Sequence, residues 1–128
     1  MKIIVCIKQV PGTNEVKTDP VTNTIIRENI PAILNPFDAY AIEEAVRIKE
    51  RRGAFIYGIS MGIPAAREVL REALALGIDK GILMTDKRFA GADTLATAYT
   101  LSKGIERIGD FDLIICGRQA TDGDTAQV

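Results

Sequence analysis

Gly117-Arg118-Gln119-Ala120-Thr121-Asp122-Gly123-Asp124-Thr125 is the stretch of this chain whose residue types best suit chemistry. It joins an aliphatic run to Thr125-Ala126-Gln127-Val128, which reads as the start of a helix. Gly117 and Gly123 permit close approach of a ligand to the backbone. Free N–H groups and the helix dipole then favour a phosphate. Thr125 adds a hydroxyl, Gln127 an amide, and Arg118 a charge-assisted bond. Asp122 and Asp124 suit an anion site only if they cap backbone N–H groups or bond sugar hydroxyls. An ordinary capped turn without a ligand accounts for the same residues equally well. The spacing is neither G-x-G-x-x-G nor G-x-x-x-x-G-K-[ST], so a dinucleotide-binding Rossmann motif and a P-loop are poor readings.

Two further segments carry candidate residues. In Asn35-Pro36-Phe37-Asp38, Asn35 reads as a helix cap, Pro36 as a first-position proline, and Asp38 as a charge favoured at the positive end of the dipole. In Phe89-Ala90-Gly91-Ala92-Asp93-Thr94, Asp93 reads as a cap, or the segment as a glycine-containing loop lying against a flat ring. Histidine is absent. That removes the commonest general base and metal ligand, so no Ser-His-Asp triad or His-ligated zinc site is expected. No catalytic side chain and no metal site are assigned. Cys6 and Cys116 each follow aliphatic residues, lack C-x-x-C spacing, and read as buried free thiols. Such usage suits a reducing cytoplasm.

These residues need a scaffold, and the rest of the chain supplies one. Its 128 residues, 47% apolar and 26% charged, suit one soluble domain spanning 1–128. A net charge of -1 and 5% aromatic content give no footing for nucleic-acid binding. The apolar run Ile3 to Ile7 is too short for a secretory or membrane-spanning segment. Lys2 to Lys8 instead reads as a strand covered on both faces. Two short β-type segments, Glu15-Val16-Lys17 and Thr24-Ile25-Ile26-Arg27, follow as an excursion hairpin. Asp19, Pro20, Thr22 and Asn23 supply its turn. A helix then opens at Asn35-Pro36 and stops at Gly53, with Ala41, Ile42, Ala45 and Val46 on its apolar face.

Strand, helix, strand, helix and strand follow. Ala54 to Ser60 is a strand. The next helix starts at Pro64 and stops at Gly77, with Ala66, Val69, Leu70, Ala73 and Leu74 inward. Gly81 to Thr85 is a strand. A third helix runs from Asp93 to Gly109, with Leu95, Ala98, Tyr99, Leu101, Ile105 and Ile108 inward. Phe111 to Cys116 is the last strand. This alternation predicts an α/β doubly wound parallel sheet with helices on both faces. Ligands of such sheets bind beyond the carboxyl ends of the strands, where strand order reverses. Because the pattern opens a helix where the chain stops, a longer protein with a carboxy-terminal continuation is expected.

The residues also carry a resemblance. Val5-Cys6-Ile7-Lys8-Gln9-Val10-Pro11, Asn35-Pro36-Phe37-Asp38, Ala41-Ile42-Glu43-Glu44-Ala45, Ala73-Leu74-Ala75-Leu76-Gly77-Ile78-Asp79, Gly117-Arg118-Gln119 and Asp122-Gly123-Asp124-Thr125-Ala126-Gln127-Val128 resemble, in order, the amino-terminal half of electron transfer flavoprotein beta subunits. The resemblance implies an adenine nucleotide alpha hydrolase-like, Rossmann-like fold. It implies a cofactor site in which Cys6 meets adenine through its backbone. Asn35, Pro36, Phe37 and Asp38 line the nucleotide, Gly58 forms the floor, and residues 117–128 wrap ribose and phosphates. Asp93, Thr94 and Val10 lie nearer a flavin ring, and Lys8 or Arg118 steadies its reduced form. The end of the chain, Lys8 to Pro11 and Gly91 to Thr94 are similar to the electron-bifurcating kind, which implies FAD. The alternative is AMP, and Phe37 resembles that kind. Gly12 stands where the bifurcating kind more often has Asp. The implied partners are an electron transfer flavoprotein alpha subunit, flavin-dependent dehydrogenases, NADH and ferredoxin. A stand-alone universal-stress-like ATP- or AMP-binding regulatory module is the competing function.

Overall fold

A computed structural model describes residues 1–12, 20–23 and 31–128. Four strands form a parallel sheet: β1 (Lys2–Cys6), β4 (Phe55–Met61), β5 (Lys80–Met84) and β6 (Leu113–Cys116), in the order β5-β4-β1-β6. Its register pairs Ile3 with Ile56 and with Leu113, and Cys6 with Ile59 and with Cys116. The chain moves outward from β1 to β4 to β5, then returns to the opposite side of β1 as β6. Strand order therefore reverses between β1 and β6, which is where a ligand crevice is expected.

Side chains alternate across β1. Ile3, Val5 and Ile7 pack under the helices α1 (Pro36–Arg52) and α2 (Arg67–Leu76), together with Ile42, Ala45, Val69, Leu70 and Ala73. Ile4 and Cys6 face the helix α3 (Thr94–Ile108), with Ile59, Leu101 and Ile105. Helices thus cover both faces, as the buried aliphatic strands require. Among the described residues, no helix is long and apolar enough to cross a membrane.

The helix ends follow local chemistry. Gly53 (φ 72°), Gly77 (φ 125°) and Gly109 (φ 66°) end α1, α2 and α3 in conformations that side chains disfavour. The Asp93 carboxylate accepts from the Ala96 N–H at 2.7 Å and caps α3. Pro64 opens a 3-10 turn, Pro64–Ala66, ahead of α2.

Several expectations need correction. Asn35 makes no side-chain cap on α1, because its amide is spent on a distant loop. Leu74, Leu95 and Tyr99 do not face the core and are largely exposed. Only the second half of α3 sits on the sheet, and its first half stands over a cavity. Nor does a helix open at Thr125. Asp124 and Ala126 adopt φ of 54° and 55°, incompatible with a right-handed helix. The excursion strands at 15–17 and 24–27 lie outside the described residues. Pro20 to Thr22 form a turn. The sequence reading missed a two-stranded antiparallel ribbon, β2 (Gln9–Pro11) with β3 (Ala32–Leu34).

Gly104 allows α3 to approach the sheet. A Cβ there would lie 2.5 Å from Met84 Sδ and 2.7 Å from Ile59 Cδ1. In an open helix Gly→Ala gains about 1 kcal/mol, but overpacking costs about 1–3 kcal/mol. Gly104→Ala is expected to lower stability by about 1 kcal/mol, and a raised melting temperature would contradict this packing.

Candidate functional site

The switch point opens into a cavity of about 960 Å³. Its floor is Cys6 and Cys116, the last residues of β1 and β6. One wall is the end of the chain, from Gly117 to Ala120 and from Gly123 to Val128. The opposite wall is Phe89, Gly91 to Thr94 and α3 through Thr97, Ala98, Leu101 and Ser102.

Two buried polar side chains build this site. Asn35 Nδ2 donates to the Gln119 carbonyl at 2.9 Å, and Asn35 Oδ1 accepts from the Thr121 N–H at 3.2 Å. Asn35 is 1% exposed, so both bonds are shielded. It clamps the loop after β6 onto the start of α1. Asp38 Oδ2 accepts from the Lys8 N–H at 2.8 Å. The Asn35 side-chain amide and the Gly117 N–H lie beside the carboxylate and favour its charged form. Burial outweighs these three donors and pushes the Asp38 carboxyl up to about 6. Asp38 thus ties the end of β1 to the end of β6. Gly117 makes that contact possible, since a Cβ there would lie 2.5 Å from Asp38 Oδ1 and 2.8 Å from the Phe37 carbonyl carbon.

The charges of the loop are largely satisfied within the protein. Lys8 Nζ pairs with Asp122 Oδ1 at 2.8 Å. Asp122 also accepts from the Gly123 N–H at 2.7 Å. The Lys8 ammonium and these hydrogen bonds outweigh desolvation and hold the Asp122 carboxyl below its usual range. Asp124 accepts from the Gln119 side-chain amide. The two carboxylates that looked unsuited to an anion site are thereby given local partners.

Backbone amides divide in the same way. Those of Thr121, Gly123 and Asp124 are bonded to the protein, and that of Gly117 lies beside the Asp38 carboxylate. Those of Arg118, Gln119 and Ala120, and of Thr125 to Val128, have no partner among the described residues. Arg118 lines the cavity, is exposed, and makes no ion pair with a described residue. The donor set left over is therefore one guanidinium and two short runs of amides, which suits a phosphate-bearing ligand. The volume stands near the upper end of the roughly 300–1,000 Å³ of small-molecule sites, and the apolar first half of α3 suits a flat ring system.

Of the residues singled out by sequence, Cys6, Lys8, Asn35, Asp38, Asp93, Thr94, Gly117, Arg118, Gln119, Ala120, Gly123, Asp124, Thr125, Ala126, Gln127 and Val128 line this cavity. The others do not. Val10 is fully buried in β2. Pro36 and Phe37 lie at the start of α1, outside the wall. Thr121 and Asp122 support the loop from behind. Gly58 is in the core, where a Cβ would lie 2.6 Å from Ile78 Cδ1 and 2.7 Å from Ile7 Cδ1. It admits core side chains, and the floor is the cysteine pair. The cysteines are not buried as read from sequence: Cys6 is half-buried and Cys116 exposed. Thr97, Ala98, Leu101 and Ser102 were missed. Their helical spacing was legible, but a face turned to a cavity and one turned to a core share the same period.

Comparison with known proteins adds kinship to this geometry. The family model for the electron transfer flavoprotein domain matches residues 22–128. An electron transfer flavoprotein subunit beta of Thermoanaerobacterium thermosaccharolyticum is 59% identical over 128 residues, covering all of this chain and 49% of the relative. The caffeyl-CoA reductase-Etf complex subunit CarD of Acetobacterium woodii is 56% identical, over all of this chain and 49% of the relative. Protein FixA of Sinorhizobium fredii is 48% identical, over all of this chain and 46% of that protein. The chain spans about half the length of the curated relatives it matches. From the match over residues 22–128, and from these relatives, the chain belongs to the electron transfer flavoprotein family, among its beta subunits.

Proposed function

We propose that this chain is the cofactor-holding part of an electron-transferring beta subunit, that its switch-point cavity takes FAD, and that it works paired with an alpha subunit. AMP, held structurally, is the alternative occupant. The observation that carries the reading is the cavity itself: it opens at the switch point of the sheet, and its unspent donors are amides and Arg118. A bound flavin supplies the hydride and single-electron chemistry, while the protein binds it, orients it and sets its potential. The residues proposed to hold it are Arg118 to Ala120 and Thr125 to Val128 at the phosphates and ribose. The backbone at Cys6 meets the adenine, and Asp93, Thr94 and α3 flank the ring. Asn35 and Asp38 act one step back, by positioning that loop. Lys8 is committed to Asp122, which leaves Arg118 as the cation toward the cofactor.

Electrons would enter from NADH or from flavin-dependent dehydrogenases and leave to an acceptor such as ferredoxin. The name of the relative CarD, a subunit of a caffeyl-CoA reductase-Etf complex, supports assembly with a partner enzyme. Family membership favours this reading over a stand-alone universal-stress-like regulatory module.

Identifying the cofactor extracted from the intact, partner-bound protein tests the proposal. FAD assigned to this cavity supports it, AMP there reassigns the subunit to the structural kind, and a nucleotide-free cavity sinks it. Arg118→Ala checks the cation. A charge-assisted bond is worth about 1.5–3 kcal/mol, and for two electrons 30 mV corresponds to about 1.4 kcal/mol. The midpoint potential of a cofactor in this cavity is expected to fall by about 30–60 mV, and an unchanged potential removes Arg118 from the role.

A further inference from the structure

The side chains at the floor of the cavity are not used by the cofactor reading, which asks only for the backbone at Cys6. Cys6 and Cys116 end adjacent parallel strands and are register partners, so both project from the α3 face of the sheet. Both line the cavity, and neither is in a disulfide. Adjacent strands stand about 4.8 Å apart, inside the roughly 4.4–6.8 Å between Cα atoms that a disulfide spans. We propose that Cys6 and Cys116 form a redox-reactive dithiol that closes to a disulfide when hydrogen peroxide enters the cavity.

Cys116 is the attacking thiol. It is the more exposed of the two and has the Cys6 thiol as its neighbour across the strand pair. The Cys6 thiol, as a donor toward its sulfur, lowers the Cys116 thiol to about 7, against partial burial and the nearby Asp38 carboxylate. The Cys6 thiol is pushed up, chiefly by donating to Cys116 and then by burial. One thiol is therefore ionised near neutrality while its neighbour stays protonated, the pattern of an attacking and a resolving cysteine. The Cys116 thiolate attacks one peroxide oxygen, the O–O bond breaks, and the departing hydroxide takes a proton to leave as water. Cys6 sulfur then attacks the Cys116 sulfenic acid, an S–S bond forms, and the hydroxyl group leaves as water with the Cys6 proton. Two thiols are oxidised and one peroxide is reduced to two waters. The proposal stands whether the cavity holds FAD or AMP.

The experiment treats the intact, partner-bound protein with hydrogen peroxide and follows its mass and free thiols. The chain is expected to lose about 2 Da, the two thiol hydrogens, and both thiols are expected to disappear at one rate. Cys6→Ser is expected to stop at a sulfenic acid on Cys116, trapped by dimedone, and Cys116→Ser to show neither product. Unchanged mass with both thiols still titratable overturns the proposal, as does Cys116→Ser forming a dimedone adduct at Cys6 as fast as Cys6→Ser forms one at Cys116. Because the mass and thiol measurements use the unaltered chain, they decide the matter even if a variant fails to fold.

Discussion

Gly117→Ala is expected to cost about 3 kcal/mol of stability and to release the cofactor, although it adds a single carbon. The new Cβ would stand 2.5 Å from Asp38 Oδ1 and 2.8 Å from the Phe37 carbonyl carbon and oxygen. Two of these three atoms are backbone at the start of α1 and cannot rotate away. Relief requires α1 and β6 to separate, a strain of about 1–3 kcal/mol. Separation also takes the Gly117 N–H away from the buried Asp38 carboxylate that it helps to stabilise, and a buried under-satisfied group costs about 1–3 kcal/mol more. Gly123→Ala is the matched control. It lies on the same loop, but a Cβ there meets nothing within 4 Å, so stability should stay within about 0.5 kcal/mol. Denaturant unfolding of the two variants checks this, and equal losses would show that loop entropy, rather than contact with Asp38, makes Gly117 necessary.

Asp38 carries the second large effect, and its sign runs against the usual acid. Burial raises its carboxyl from an ordinary 3.8 to about 6, so the folded protein holds this proton more tightly than the unfolded chain does. The stability tied to the protonated form is complete below about pH 4 and is lost as pH rises through about 6. At about 1.4 kcal/mol per pKa unit, the loss is on the order of 3 kcal/mol. Asp122 and Asp79, whose carboxyls are held low by partners including Lys8 and Lys49, contribute the opposite slope. The difference between the parent and Asp38→Asn therefore isolates the effect. The substituted amide would offer one acceptor oxygen to the three donors of Lys8, Gly117 and Asn35, and would turn its own N–H groups toward them. At neutral pH the variant is expected to be less stable by about 1–3 kcal/mol, and the fall in stability between about pH 4 and 6 should disappear. If the parent and Asp38→Asn show the same pH profile, the carboxyl titrates at its ordinary value and burial does not govern it.

Much of the scaffold was legible without coordinates, because the signals are local. A continuous aliphatic run reads as a strand covered on both faces, Asp93 caps α3 through the amide three residues on, and glycines past the periodic residues end all three helices. Each depends on neighbours within a turn or a strand, so the residues alone state it. Alternation of strand and helix then implied the layered sheet, and the order of motifs implied the family.

What the residues by themselves determined is thus the alternation of sheet strands and helices, the class of fold and the kinship. Tertiary structure decided which side chains reach the cavity and which merely hold the loop. Asn35 looked like a cap until it met Gln119, 84 positions away, and Lys8 looked like a free cation until it met Asp122, 114 positions away. Cys6 and Cys116 become neighbours only because β6 returns beside β1. These pairings depend on strand order and register, and no local propensity encodes a partner a hundred residues distant.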